Sequence, residues 1–109
     1  MRERLFHLVR PTEWAASAPG ESYAPPSLAA EGFVHLSTAA QVAQSAERHF
    51  ADASELLVLS FERASLEPAL RFEEAHGQLF PHYYGAIDKR SVVQIEELRR
   101  DASGRFHWR

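Results

Sequence analysis

Two strings, GFVHLST (32–38) and FPHYYG (80–85), each set a histidine among hydroxyl groups, a glycine and large apolar side chains. An imidazole with one donor and one acceptor nitrogen suits a sugar hydroxyl or an amide. His35 and Ser37 alternate onto one face of a strand that runs directly into a helix. The start of such a helix offers free backbone N–H groups and a partial positive charge, which favour phosphate or carboxylate. Thr38 either caps that helix or joins the site. In the second string Pro81 fixes the backbone and Gly85 permits a close approach. His82, Tyr83 and Tyr84 then offer rings for stacking on a heterocycle. His7, inside LFHLV, either holds a backbone carbonyl in the core or turns a ring N–H toward a ligand hydroxyl. Arg71 and Glu73 alternate onto one face of LRFEEA. They are either a solvated pair or, on a pocket face, a phosphate ligand and a carboxylate that polarises a sugar hydroxyl.

The remaining histidines rank lower: His49 sits near a helix C-terminus, His76 in a loop and His107 in the C-terminal tail. Three histidines can bind zinc, so a His-dependent metal hydrolase is an alternative. Neither HxH nor HExxH spacing supports it, and no metal ligand is assigned. GxSxG is absent, which removes that route to a serine hydrolase.

These residues need elements to position them. Leu5–Val9 reads as a strand buried on both faces. Pro11 opens a helix over Thr12–Ser17. Residues 18–26, with three prolines, read as a loop. Ser27 is expected to cap a short helix, Leu28–Glu31, that Gly32 stops. Phe33–Ser37 is the next strand. Thr38 and Gln41 have capping-box spacing, and Val42, Ala46 and Phe50 form an apolar stripe on the helix that follows. LLVLSFE (56–62) is the clearest strand. LRFEEA (70–75) alternates, a short strand or turn is expected near 82–87, and SVVQIEEL (91–98) is the last strand, with Val93 and Ile95 on one face. Early helices followed by collected strands predict an α+β fold with a mixed or mostly antiparallel sheet.

The chain has 109 residues, enough for one domain over residues 1–109. Its net charge of −3 and the lack of a basic block argue against nucleic acid. The absence of cysteine excludes disulfides and thiolate chemistry and is compatible with a cytoplasmic setting. MRERLFHLVRP has no long apolar stretch, so neither a secretory leader nor a membrane span is expected.

FHLV, SLAAEGFVHLST and LRFEEA–LFPHYYG together resemble the small bacterial family DUF952, over nearly the whole chain. The resemblance implies an ADP-ribosyltransferase-like fold, a split β-sheet that binds NAD, with two or three short helices. FVHLS is also similar to the VHLS segment of RNA 2′-phosphotransferases. On this resemblance His7 orients the nicotinamide-side ribose, and Tyr23 or the FPHYYG segment stacks on nicotinamide. His35 and Ser37 hold phosphate or the acceptor, and Glu73 stabilises developing positive charge. The implied catalytic pair is His35 and Glu73. The implied NAD ligands are His7, Tyr23, Ser27, Ser37, Thr38, Arg71, His82 and Tyr84. Leu8 and Val9 follow His7 where those enzymes carry Gly and then Thr or Ser. That difference favours the alternative of a binding module that keeps the cleft without transfer chemistry.

Overall fold

The computed structural model describes residues 3–16 and 22–108. It is an α+β fold in which every strand pairing is antiparallel. The first strand, β1 (Arg4–Val9), is followed by helix α1 (Pro11–Ala16), β2 (Ser22–Tyr23) and helix α2 (Pro26–Glu31). Then come β3 (Val34–His35), a 3-10 turn at Ala39–Gln41 and helix α3 (Val42–His49). The strands β4 (Glu55–Glu62), β5 (Leu70–Ala75), β6 (Gln78–Tyr83), β7 (Ile87–Asp88) and β8 (Val92–Arg99) complete the chain. They form three sheets, ordered β1-β4-β8, β2-β7 and β3-β6-β5.

Strand β1 is buried on both faces, as its near-continuous apolar run demands. Leu5 and Val9 join Leu59, Phe61, Val34 and Leu36 in one cluster. Phe6 and Leu8 point the other way, into a second cluster with Val42 and Ala46 of α3. His7 therefore shares the face of Leu5 and Val9, opposite Leu59 in the register. The expected stripe on α3 is present: Val42 and Ala46 are buried and Phe50 packs beside them. The capping spacing is also realised, the Gln41 side chain accepting the Thr38 backbone N–H at 3.1 Å.

Four local expectations are corrected. Ser27 does not cap α2. The helix begins one residue earlier at Pro26, with Pro25 as its N-cap, because a proline at the first helical position already has the required φ. The second strand is shorter than 33–37. After His35 the Leu36 N–H turns to the Pro81 carbonyl at 3.0 Å, and Ser37 leaves to exchange backbone hydrogen bonds with Phe6 at 2.9 and 2.7 Å. The short strand or turn expected near 82–87 is a strand that begins earlier: Phe80–Tyr83 of FPHYYG lie in β6, the central strand of its sheet, with Pro81 opposite Phe72. The donor that Pro81 lacks would return the bond to Leu36, at the point where that chain departs for β1. Residues 18–26 are not all loop, since Ser22–Tyr23 pair with Ile87–Asp88 and Pro26 is helical. Ser17 and residues 18–21 of the expected helix end and loop lie outside the described residues. Val93 and Ile95 do share a face of β8, and that face is exposed.

The Phe6–Ser37 bridge is an isolated one. It joins the two three-stranded sheets at β1 and then lets them diverge.

Candidate functional site

A cleft of about 370 Å³ opens where the sheets part. All three sheets contribute to it: His7 from the first, Tyr23 from the second, and His35 and His82 from the third. His49, from the last turn of α3, and His76 also line it, so five of the six histidines share one cavity. Its volume is that of a small-ligand pocket.

His7 is 6% exposed. Its Nδ1–H donates to the His35 carbonyl at 2.8 Å. Its Nε2 is buried and has no partner among the described residues. Burial pushes its pKa down to about 4, so the ring is neutral near pH 7. A neutral ring that donates through Nδ1 leaves Nε2 as an acceptor. The ring holds a backbone carbonyl, the first of the two alternatives that the sequence posed, and the residue lines the cleft. The single N–H is spent on that carbonyl, so the remaining nitrogen is an acceptor rather than a donor.

His82 has the same design. The β3–β6 register sets it opposite His35, and the β5–β6 register opposite Arg71. Cross-strand partners share a face. One face of this sheet accordingly carries Phe33 and His35, then His82 and Tyr84, then Arg71 and Glu73. His82 stacks on Phe33 with ring centroids 4.0 Å apart. Its Nδ1–H donates to Glu73 Oε1 at 2.8 Å, and the Tyr84 hydroxyl donates to the same oxygen. These two bonds, that from Tyr84 the larger, hold the Glu73 carboxyl below its usual range. The His82 Nε2 is buried and, like that of His7, has no partner.

His35 is more open. Its Nε2 meets Glu31 Oε1 at 2.8 Å, and this bond lowers the Glu31 pKa. Its ring lies 5.5 Å from that of His82 and 5.8 Å from that of His49. The Tyr23 hydroxyl lines the cleft as well. Burial, with Glu13 nearby, raises its pKa to about 12, so it remains a donor. The Ser37 hydroxyl donates to Ser45 Oγ at 2.8 Å, inside the cleft wall.

Among the candidate residues, His7, Tyr23, Ser27, His35, Ser37 and His82 line the cleft. Thr38, Arg71, Glu73 and Tyr84 do not. The Thr38 N–H is taken by Gln41, whose amide donates to Gln78 Oε1 and the Leu79 carbonyl. That helix start therefore keeps its own cap. Glu73 stands behind His82, and the Arg71 guanidinium lies over the Tyr84 ring at 5.4 Å.

The family model described as "Protein of unknown function (DUF952)" matches residues 8–95. The chain belongs to the DUF952 family. No functionally curated protein matches it. The crystal structure of protein CC0527 from Caulobacter crescentus is similar at 26% identity and a TM-score of 0.84, covering 95% of this chain and 93% of that one. The solution NMR structure of CC0527 is similar at 30% identity and a TM-score of 0.79, covering 94% and 90%.

In this DUF952 chain, reading the sequence alone underrates Glu31, His49 and His76. Glu31 stands in the SLAAEGFVHLST string, but α2 and Gly32 must end before it can reach His35. Gly32 has φ 89°, the left-handed geometry that stops α2 there. His76 (φ 52°) and Gly77 (φ 82°) form a two-residue hairpin turn between β5 and β6. Histidine tolerates that conformation better than most residues, and here it brings a ring to the cleft. Among the described residues no group of three His, Cys, Asp or Glu is disposed to hold a metal ion, and no helix is long and apolar enough to cross a membrane.

Proposed function

We propose that the cleft is the nucleotide site of an ADP-ribosyltransferase-like domain and takes NAD, or a related nucleotide, by its ribosyl end. The observation that carries this reading is the pair of buried, unpartnered imidazole nitrogens, His7 Nε2 and His82 Nε2, in one cleft. Leaving such an atom buried and unpaired costs about 1–3 kcal/mol, and a donor on a ligand removes that cost. A ribose hydroxyl is such a donor for His7 Nε2. The Tyr23 ring offers a stacking surface, and its hydroxyl one further donor. Glu31, beside His35, places a carboxylate in the cleft for the positive charge that develops as a nicotinamide–ribose bond lengthens. Glu73 is one ring removed from the cleft and acts through His82.

Among the described residues no lysine or arginine lines the cleft. The phosphates therefore belong at its margins, where Arg48 lies over Phe80 at 6.0 Å and Arg71 over Tyr84. Neither guanidinium has an ion-pair partner among the described residues. The absence of an interior phosphate clamp, with Leu8 in the wall after His7, favours as second reading a module that binds without cleaving.

Calorimetric titration with NAD, with free nicotinamide assayed in the same samples, tests both. Binding with nicotinamide release supports an NAD-consuming enzyme. Binding without release supports the module. No binding at millimolar NAD overturns the nucleotide reading.

A further inference from the structure

We infer that His82 is a general base, oriented by Glu73, that takes a proton from a water molecule in the cleft, so that a bound nucleotide is hydrolysed rather than transferred to another molecule. The inference rests on the nucleotide reading for its substrate and on the dyad's own geometry for its chemistry.

A useful base must be oriented, unpaired on its reactive side, and shielded from bulk water. His82 meets each condition. Its Nδ1–H is committed to Glu73 Oε1 at 2.8 Å. Its side chain is 6% exposed. Phe33 stacks on the ring at 4.0 Å and fixes its plane. The Tyr84 hydroxyl holds the carboxylate from the far side. What remains is Nε2, buried, without a partner and in a residue that lines the cleft. Leaving that nitrogen unpaired is costly, and a donor such as water offsets that cost. Glu73, touching only the ring, is a positioning residue: it selects the Nδ1–H form and stabilises the imidazolium.

The step balances without a further reactant. A water proton passes to His82 Nε2 as the water oxygen bonds to the anomeric carbon. The carbon–nitrogen bond breaks, and its electron pair stays with the departing pyridinium nitrogen, which leaves as neutral nicotinamide. The leaving group needs no proton, so His82 returns its own to solvent. The products are ADP-ribose, nicotinamide and one proton. No hydroxyl-bearing acceptor other than water is required, and a cleft of about 370 Å³ leaves little room for a macromolecular one.

The test has two arms. On the free protein, imidazole nitrogen NMR reads the tautomer of neutral His82. The expected result is Nδ1–H with bare Nε2 in the wild type and a mixture in Glu73→Gln. An Nε2–H wild-type ring overturns the inference whether or not NAD binds. With saturating NAD, His82→Ala should lower nicotinamide release at least about 100-fold, and added imidazole should restore part of the rate. Glu73→Gln should lower kcat and leave KM nearly unchanged. Undiminished release in His82→Ala, or NAD binding with no release by the wild type, overturns the inference and leaves the nucleotide reading standing. Failure of NAD to bind overturns the nucleotide reading and, with it, the assigned substrate; the tautomer then decides the dyad by itself.

Discussion

Replacing His7 by glutamine should remove a specific part of the protein's acid sensitivity. The folded ring titrates at about 4 because burial disfavours its charged form, against 6.5 when exposed. Above pH 6.5 neither state binds the proton and His7 adds no pH dependence. As the pH falls below 6.5, the unfolded chain takes up a proton that the native ring refuses, so stability declines. The decline ends near pH 4, where the native ring protonates too. Each tenfold change in proton concentration between those limits costs about 1.4 kcal/mol, or about 3 kcal/mol in all. Between pH 7 and about pH 4.5 the loss is about 2.4 kcal/mol on the same relation. That is a large share of the 5–15 kcal/mol typical of a domain. Urea unfolding of the wild type and of His7→Gln at both pH values measures it. The carboxylates lowered by their own partners, such as Glu31 and Glu73, and the partly buried His49 act in both proteins and cancel in the comparison. Glutamine keeps an amide donor for the His35 carbonyl but does not titrate. The wild type should lose about 2–3 kcal/mol more than the variant across this range. Equal losses, within about 0.5 kcal/mol, would refute a neutral buried His7 and the fixed acceptor it presents.

Arg100→Met should destabilise the fold by about 2–4 kcal/mol in chemical unfolding, because the guanidinium donates to the carbonyls of Phe50, Ala51, Ala53 and Gly104 and to Glu47. Gly32→Ala should cost about 1 kcal/mol through backbone strain alone: φ is 89° and an added Cβ meets nothing within 4 Å, so thermal unfolding should show the loss without altered binding. Tyr23→Phe should leave unfolding nearly unchanged and weaken NAD binding about 5- to 10-fold by calorimetry, the worth of one hydrogen bond.

What could be read from the sequence is what local chemistry decides. The buried run of β1, the alternation of LRFEEA, the Thr38–Gln41 cap and the Gly32 stop each depend on near neighbours. The strand expected near 82–87 is placed too late because Pro81 signals a break, whereas β6 runs from Gln78 through that proline. It is tolerated only because β3 departs beside it, a fact of tertiary structure. The His76–Gly77 turn was the usable clue. A two-residue turn fixes the hairpin register and thereby sets Arg71 opposite His82 and Glu73 beside it. The meeting of His35 with His82 is a long-range pairing that neither string contains. At the start of the helix, where the sequence places a phosphate, Thr38 stands outside the cleft lining, and a local reason was in view: the capping box commits its N–H to Gln41.

Both inward-facing histidines are locked through Nδ1, one by a carbonyl and one by a carboxylate, and both leave Nε2 bare. The same arrangement orients histidines that bind metal ions. The difference lies in what else can reach the common space. His35 is engaged with Glu31, His49 and His76 sit with ring centroids 6.3 Å apart, and no third ligand among the described residues is disposed to complete a coordination shell with the first two. Two bare acceptors without a third ligand suit a hydroxyl-bearing molecule, which needs only hydrogen-bond acceptors and a ring to rest on. Apolar side chains of similar size would leave the His35 carbonyl and the Glu73 carboxylate without these donors, but the Nδ1 bonds alone do not account for an Nε2 left unpaired on each ring. A ligand donor in the cleft is what the proposed function supplies for such a nitrogen.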